Sequence, residues 1–474
     1  MNRKNNFHQF FEDFAATYKK YRSWHRYYWN DIIKYNNFYI SDDQTVLEIG
    51  CGSGETLSKL KGKTRTGIDF SPAMIEQAKK NHPDIEFHVM DGENITLDKT
   101  YDVIVLPNVV GYFSNVIDVF NQLKKVSHDE TKLIISYHNY LWEPAIRFAE
   151  FIGFKKKAPR QNWLSHQDLK NLLYHCGFEE FRSTNRLLIP VNIPIISFLF
   201  NRYLAKMPII NHLCLNNYSN ARRVRLGRTQ QEIDNFSTTV VIPARNESGN
   251  IENAILRLPK FGRHIEIIYV EGNSTDDTWE KIQEIQAKYK DSHDIKIMQQ
   301  DGKGKGDAVR KGYAAATGDI LMILDADLTV PPEDLPKFYY ALAAGKGDFI
   351  NGSRLVYPME KGAMRFLNNL GNKFFSLVFS WLLEQSLKDT LCGTKVMFRK
   401  DYISLINNRS YFGNFDPFGD YDLLFGAYKL NLKIIDLPIR YQERTYGDTN
   451  ISRFRHGLLL LRMCLFASKK IKFW

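Results

Sequence analysis

Cysteine is scarce. Five residues (Cys51, Cys176, Cys214, Cys392 and Cys464) are scattered through 474. Their odd number and wide spacing exclude a disulfide framework and a zinc-binding pattern, and point to a reducing cytosol. Long apolar runs are also missing. Leu187 to Phe200 is broken by Pro190, Asn192 and Pro194, while Phe374 to Leu383 and Leu458 to Phe466 are too short to span a bilayer. Met1 to Phe11 is polar and basic with no apolar core, unlike a secretory signal. Acidic residues are in deficit, 53 against 64 basic ones, for a formal charge of +11. That balance favours an anionic partner (nucleic acid, an acidic membrane face or a phosphorylated substrate) without choosing among them. The expectation is a cytoplasmic protein, with peripheral contact to an anionic membrane left open.

What is present suffices for globular cores: 44% apolar and 14% aromatic residues, in a chain long enough for two or three domains. Aromatics from Phe7 to Tyr21 recur at helical spacing, which predicts an amphipathic helical segment over 7–40 covering a domain. Thr45 to Ile49 then reads as a strand running into Gly50-Cys51-Gly52-Ser53-Gly54, with a helix expected from about Glu55. Glycines there let the backbone turn sharply and approach a ligand. A second strand ends in Gly67-Ile68-Asp69, an acid placed to accept from ribose hydroxyls. Ser71-Pro72 open a helix. Further strands end in Asp91, near Asn108, and at Tyr137. The turn lacks the G-x-G-x-x-G spacing of nicotinamide-binding domains.

The pieces E-I-G-C-G-S-G, G-I-D-F-S-P-A-M-I, V-M-D-G-E-N and Y-D-V-I-V, in this order, resemble the class I S-adenosylmethionine-dependent methyltransferases over roughly residues 10 to 185. The resemblance implies that Glu48, Gly50, Cys51 and Gly52 line the methionine and ribose end of S-adenosylmethionine. It likewise implies that Asp69 holds the ribose, Asp91 the adenine amino group and Asn108 the outer edge. Leu106-Pro107-Asn108-Val109 lacks the polar-Pro-Pro-aromatic stretch of amino-methylating nucleic-acid enzymes. Hydroxyl or carbon methylation needs a base; His138, Tyr112 and Tyr137 are candidates, with packing the plainer reading of each. His166 and His175 fall in a plain helix ending at Gly177 and receive no role. Residues 187–216 are apolar with three prolines. They read as a cap on a pocket, a docking segment or a membrane contact. Residues 217–236, with Arg222, Arg223, Arg225 and Arg228, read as a linker.

The second half restarts with a strand ending in Pro243-Ala244-Arg245-Asn246-Glu247, then another ending in Glu271-Gly272-Asn273-Ser274-Thr275-Asp276. Next come Gly302-Lys303-Gly304-Lys305-Gly306 and the apolar run Ile320 to Leu324, which ends in Asp325 and Asp327. Lysines on a glycine loop suit phosphates, although the spacing is not that of a P-loop. Two carboxylates one residue apart repel unless a cation lies between them, and oxygen ligands suit Mg²⁺ or Mn²⁺ shared with substrate phosphates. The plainer alternative is a solvated Asp pair capping the next segment, since Pro331 and Pro332 follow.

The segments V-V-I-P-A-R-N-E, E-G-N-S-T-D-D-T, G-K-G-D-A-V-R-K-G, A-T-G-D-I-L-M-I-L-D-A-D-L, N-G-S-R and D-T-L-C-G-T-K resemble the family 2 glycosyltransferases, most of all the polyprenol-phosphate (dolichyl-phosphate) glucose and mannose synthases, over roughly 237 to 445. The resemblance implies a GT-A fold, an inverting mechanism and a nucleotide-sugar donor. Pro243, Arg245 and Glu247 would meet the nucleoside, Glu271 and Asp276 the base, Lys305 the ribose or phosphate, and Asp325 and Asp327 the metal. The family's usual acidic pair is here Glu271-Gly272, which leaves the donor base open. Arg354, Arg365 and Lys373 are spaced to meet an anionic acceptor. Residues 366–383 carry an apolar face suited to a membrane interface or to a core helix. A hydroxyl acceptor needs a base, for which Asp420 is the first candidate and Asp389 the alternative. Arg444, Tyr446 and the residues after them read as a lid over the diphosphate.

The fold class expected is therefore α/β in two domains: a Rossmann-like methyltransferase fold over 1–217, a linker over 218–236, and a GT-A fold over 237–474. The function expected is that of a bifunctional transferase acting on a glycan or polyprenyl-phosphate acceptor. The alternatives are a nucleic-acid-modifying methyltransferase, which the charge suggests, and a tethering protein with one inactive half.

Overall fold

The computed structural model of the protein describes residues 3–225, 228–357, 366–408, 411, 419–444, 446 and 453–473; for residues 3, 366–369, 420 and 453–456 the backbone alone is described. The chain divides into two compact units, Met1–Val224 and Arg225–Lys472, with Phe473 joined to the first.

The first unit is a seven-stranded sheet of β1 (Thr45–Ile49), β2 (Thr64–Asp69), β3 (Glu86–Val89), β4 (Tyr101–Pro107), β5 (Ser127–His138), β6 (Phe178–Arg186) and β7 (Asn216–Arg223). Their order is β3-β2-β1-β4-β5-β7-β6. The first five strands are parallel, and β7 lies antiparallel between β5 and β6. The order reverses between β1 and β4, where a doubly wound sheet opens a crevice for ligands. Helix ends are set by local chemistry. Ser71 caps the helix Pro72–Asn81 by accepting from the Met74 amide, with Pro72 as its first residue. Gly177 at φ 74° ends the helix His166–His175. Two helices, Arg3–Trp24 and Arg26–Tyr39, occupy the aromatic N-terminal stretch.

Two expectations are corrected here. No α-helix follows the glycine turn at Glu55. Residues 57–59 form one 3₁₀ turn, and β2 begins at Thr64, so there is no room for a longer helix. Nor is 218–236 a linker throughout. It starts inside β7, whose side chains are almost all buried although the strand reads Asn-Asn-Tyr-Ser-Asn-Ala-Arg-Arg. Arg222 is fully buried and bonds Glu179 at 2.7 Å. Arg225 and Arg228 belong to the second unit, bonding Asp348 at 3.0 Å and the Ala343 carbonyl at 2.6 Å.

The second unit holds β8 (Ser237–Ala244), β9 (His264–Glu271), β10 (Asp294–Gln299), β11 (Ile320–Ile323), β12 (Phe349–Ser353), β13 (Lys395–Phe398) and β14 (Ile434–Pro438), in the order β10-β9-β8-β11-β13-β12-β14. β8 to β11 are parallel, and β13 runs antiparallel to both of its neighbours. Each unit has its own apolar core. Among the described residues no helix is long and apolar enough to cross a membrane.

Candidate functional sites

In the first unit, the turn after β1 is held open by conformation and by crowding. Gly50, Gly52 and Gly54 have φ of 71°, 51° and 77°. A Cβ on Gly50 would reach Val109 Cγ2 at 2.5 Å, and one on Gly54 would reach Phe87 at 2.6 Å, so only glycine fits at either position. Asp69, at the end of β2, accepts from the amides of Gly52 (2.8 Å) and Ser71 (3.0 Å), tying the two loops together. Burial raises its carboxyl to about 6. Glu48 is 1% exposed, and burial raises it further, to about 8, against the pull of Arg22. Its Oε2 is buried with no hydrogen-bond partner, and so is Oδ1 of Asn108 at the end of β4. Unsatisfied buried acceptors at the crevice, next to a glycine cradle, are what a ligand with a cationic amine and hydroxyl or amino donors would complete. The donor set therefore fits S-adenosylmethionine. Cys51 is buried, its thiol pushed well up by burial, and donates to the Gly52 carbonyl. Asp91 is ion-paired with Lys4 of the first helix, which also meets Glu93 at 3.1 Å.

Beside this cradle the structure assembles a polar group that the sequence shows only in part. Asn108, at φ 54°, donates to the Tyr28 hydroxyl. That hydroxyl also meets His138 Nε2 at 2.8 Å and Asn216 Oδ1 at 3.2 Å. A small crevice here is lined by Asn108, Tyr137, His138, Gln161, Asn162 and Trp163. Desolvation, with Lys155 nearby, lowers the His138 imidazole to about 3. A histidine so averse to charge, with Nε2 already engaged, is a hydrogen-bonding partner for Tyr28 rather than a store for a proton. Tyr112 is instead packed edge-on against Phe7 and Phe11. Tyr28 lies on a helix more than a hundred residues from His138, and no periodicity could announce it.

In the second unit, the ends of β8, β9 and β11 converge. Lys305, the first residue of the helix Lys305–Ala315, holds Asp325 at 2.7 Å. Arg444 spans Glu247 (2.6 Å) and Asp327 (2.7 Å). Asp327 also accepts from the Thr329 amide and hydroxyl, which fixes its rotamer. Glu271 is buried and caps its own loop through the Ser274 amide, while Asp276 accepts from Thr278. Both thus shape the loops. Pro243 is half-buried on β8, and Arg245 just beyond is exposed. Gly393 belongs to the D-T-L-C-G-T-K segment, and a Cβ there would overlap both Asp325 Oδ2 and Lys305 Nζ, so its backbone forms a wall of the site. Tyr446 lies on Gly249 and bonds Ser248 at 3.0 Å, so that Arg444 and Tyr446 both sit at the end of β8.

One acceptor-side expectation changes. Asp389 is fully buried and receives three hydrogen bonds from Arg354, from its amide at 3.0 Å and its guanidinium at 2.7 and 2.9 Å. Leu391 N adds a fourth. Four hydrogen bonds and a buried ion pair hold Asp389 as a structural carboxylate rather than a base, and its pairing fixes the Arg354 guanidinium, two of whose five N–H groups it takes. Asp420 begins the helix Asp420–Lys429 after Gly419 at φ 78°. That helix start abuts Gly306, where a Cβ would meet the Gly419 amide at 2.8 Å, so the backbone of Asp420 is next to the lysine loop. Its side chain and all of Arg365 lie outside the described residues.

Residues 21–181 match the family model described as a methyltransferase domain, and residues 239–409 the model described as glycosyl transferase family 2. The chain joins a methyltransferase domain to a family 2 glycosyltransferase domain. It is 39% identical over 225 residues to the dolichol-phosphate mannosyltransferase of Pyrococcus furiosus, covering 46% of this chain and 59% of that one. It is 27% identical to glycosyltransferase AglJ of Haloferax volcanii, covering 46% of this chain and 67% of that one. The chain thus spans about three fifths of the length of the first of these relatives. Among solved structures it is similar to a SAM-dependent methyltransferase from Thermotoga maritima, at 18% identity and a TM-score of 0.37 over 46% of this chain and 99% of that one. The methyltransferase domain is Rossmann-like and the glycosyltransferase domain has a GT-A-like mixed sheet.

Proposed function

We propose that the protein is a bifunctional transferase. The glycosyltransferase domain moves a sugar from a nucleotide-diphospho-sugar to a polyprenyl-phosphate or glycan acceptor. The methyltransferase domain methylates a glycan- or lipid-borne acceptor. The observation that carries the first part is the convergence of Lys305, Arg444 and Gly393 on Asp325 and Asp327 at the ends of parallel strands. Two cations and two carboxylates around a bare backbone suit the leaving diphosphate. The dolichol-phosphate mannosyltransferase relative supports a polyprenyl-phosphate acceptor.

Two carboxylates are enough for Mg²⁺ or Mn²⁺ when a diphosphate supplies further oxygens. Among the described residues no group of three or more His, Cys, Asp and Glu is placed to hold a metal by itself. In this reading Asp325 and Asp327 would hold the ion, which would act as a Lewis acid toward the diphosphate. Lys305 and Arg444 neutralise those carboxylates when no donor is bound and turn to the phosphates when it is.

Bound S-adenosylmethionine supplies an electrophilic methyl group. Glu48, Asp69 and the glycine turn bind and orient it, while Asn108, Tyr28 and His138 fix the approach of the acceptor.

A nucleotide-sugar hydrolysis screen with Mn²⁺ or Mg²⁺ tests the assignment beside Asp327→Ala. Turnover should fall by about 100-fold or more in the variant. Equal turnover in both proteins sinks the assignment.

A further inference from the structure

β6 and β7 are adjacent antiparallel strands, and a turn of two to five residues would join them. The chain instead inserts the whole of 187–215 between Arg186 and Asn216. Little of this insertion packs into a core. Its apolar side chains face out, with Ile195 74% and Ile209 86% exposed, and Phe198, Leu199 and Met207 exposed as well. Its polar side chains do the opposite and anchor it. Ser197 is buried and bonds the Val191 carbonyl and the Ile193 amide. Asn201 bonds Ile189 through both its backbone groups, and Asn211 bonds the Asn185 and Ala205 carbonyls. Ile195 is a β-branched residue held at φ 65°, a strained conformation for such a side chain.

A second display adjoins it. Asn139 bonds the His212 and Cys214 carbonyls, and Trp142 Nε1 bonds the Leu213 carbonyl at 2.8 Å. From there runs the helix Glu143–Phe151, none of whose residues is buried. Phe148 is 62% and Phe151 86% exposed, with Ile152 and Phe154 exposed beside them. Monomeric proteins rarely leave so many large apolar side chains together in water.

The charge around these side chains is one-sided. Residues 187–215 contain no acid, and of their two basic residues Arg202 is half-buried while Lys206 is buried and adds no surface charge. Residues 139–164 contain Arg147 and Lys155, ion-paired with Glu143 and Glu150, and beyond those pairs Lys156, Lys157 and Arg160 with no further acid. A rigid apolar surface flanked by basic residues complements the interface of an anionic bilayer. The same stretch leads into Gln161, Asn162 and Trp163, which line the methyl-acceptor crevice.

We infer that this face of the methyltransferase domain docks on an anionic lipid surface and opens the acceptor crevice toward it. The lipid surface is independent of either cofactor. Only the statement that it delivers a methyl acceptor rests on the function proposed above.

The test is co-sedimentation of the full chain, without cofactors, with vesicles of phosphatidylcholine alone or mixed with 30% phosphatidylglycerol. The wild type should bind the anionic vesicles, and binding should fall at least tenfold in Phe148→Asp/Phe151→Asp/Ile209→Asp. Arg147→Glu/Lys157→Glu keeps the apolar face and should lose the preference for anionic vesicles; it also serves if the triple variant fails to fold. Unchanged vesicle binding in the folded variants overturns the inference. So does a wild-type dimer that the triple variant dissolves, because a second copy would then be the occupant. Failure here leaves methyl transfer itself untouched, which binding of S-adenosylhomocysteine reads separately.

Discussion

Glu48 carries the sharpest chemical expectation at the scale of single residues. Its carboxyl sits at about 8 because burial disfavours the charge, against about 4.5 in the unfolded chain. A folded-state value above the unfolded one contributes stability at low pH, and that contribution is lost as pH rises through about 8. The ligand-free protein should therefore lose a few kcal/mol between pH 5 and 8. Glu48→Gln should flatten that slope in denaturant titrations. A cationic amine set against Glu48 favours its ionised form. Binding of S-adenosylhomocysteine at pH 7 should then release close to one proton. Calorimetry in two buffers of different ionisation enthalpy reads it directly, and Glu48→Gln should abolish it. Gly393 makes a complementary case. The atoms that a Cβ would overlap are the mobile ends of Lys305 and Asp325, so Gly393→Ala can be relieved by moving them. The variant should keep its melting temperature within a few degrees. It should bind a nucleoside diphosphate at least tenfold more weakly in a titration with Mn²⁺.

Among elements, legibility depended on which side chains face inward. The strands that lead into Gly50, Glu247, Glu271 and Asp325 are largely apolar runs stopped by polar or glycine-rich turns, whereas β2 (T-R-T-G-I-D) is marked only by its place after the glycine turn. Hydrophobic patterning finds such runs, and strand ends are where sheet ligands collect. β7 was invisible for the opposite reason. Its Asn216, Asn220 and Arg222 are buried because Tyr28, Tyr35 and Glu179 reach them from distant parts of the chain. Nothing local distinguishes such a strand from a polar linker. The Arg354–Asp389 pair failed in the same way, since sequence supplies two charges and only the fold shows that they meet. β7 should accordingly be intolerant of loss. Arg222→Ala removes a fully buried guanidinium and its bonds to Glu179, and should cost roughly 3 kcal/mol. Thermal unfolding of the methyltransferase domain would show it.

For the whole molecule the governing fact is that there are two sheets with two separate cores, each ending in its own polar site. A ligand that binds only the native form of one unit raises the stability of that unit by an amount set by its concentration over its dissociation constant. Because the cores are distinct, two-state unfolding of the whole chain is not expected, and calorimetry should resolve two transitions. S-adenosylhomocysteine at about 100 times its dissociation constant adds roughly 2.7 kcal/mol, which for a unit of this size shifts its melting point by about 5–10 °C. Only one transition should move, and Arg222→Ala should identify it by lowering the same one. A nucleoside diphosphate with Mn²⁺ should move the other, and Asp327→Ala should suppress that response. Both ligands shifting a single shared transition would show instead that the two units unfold as one.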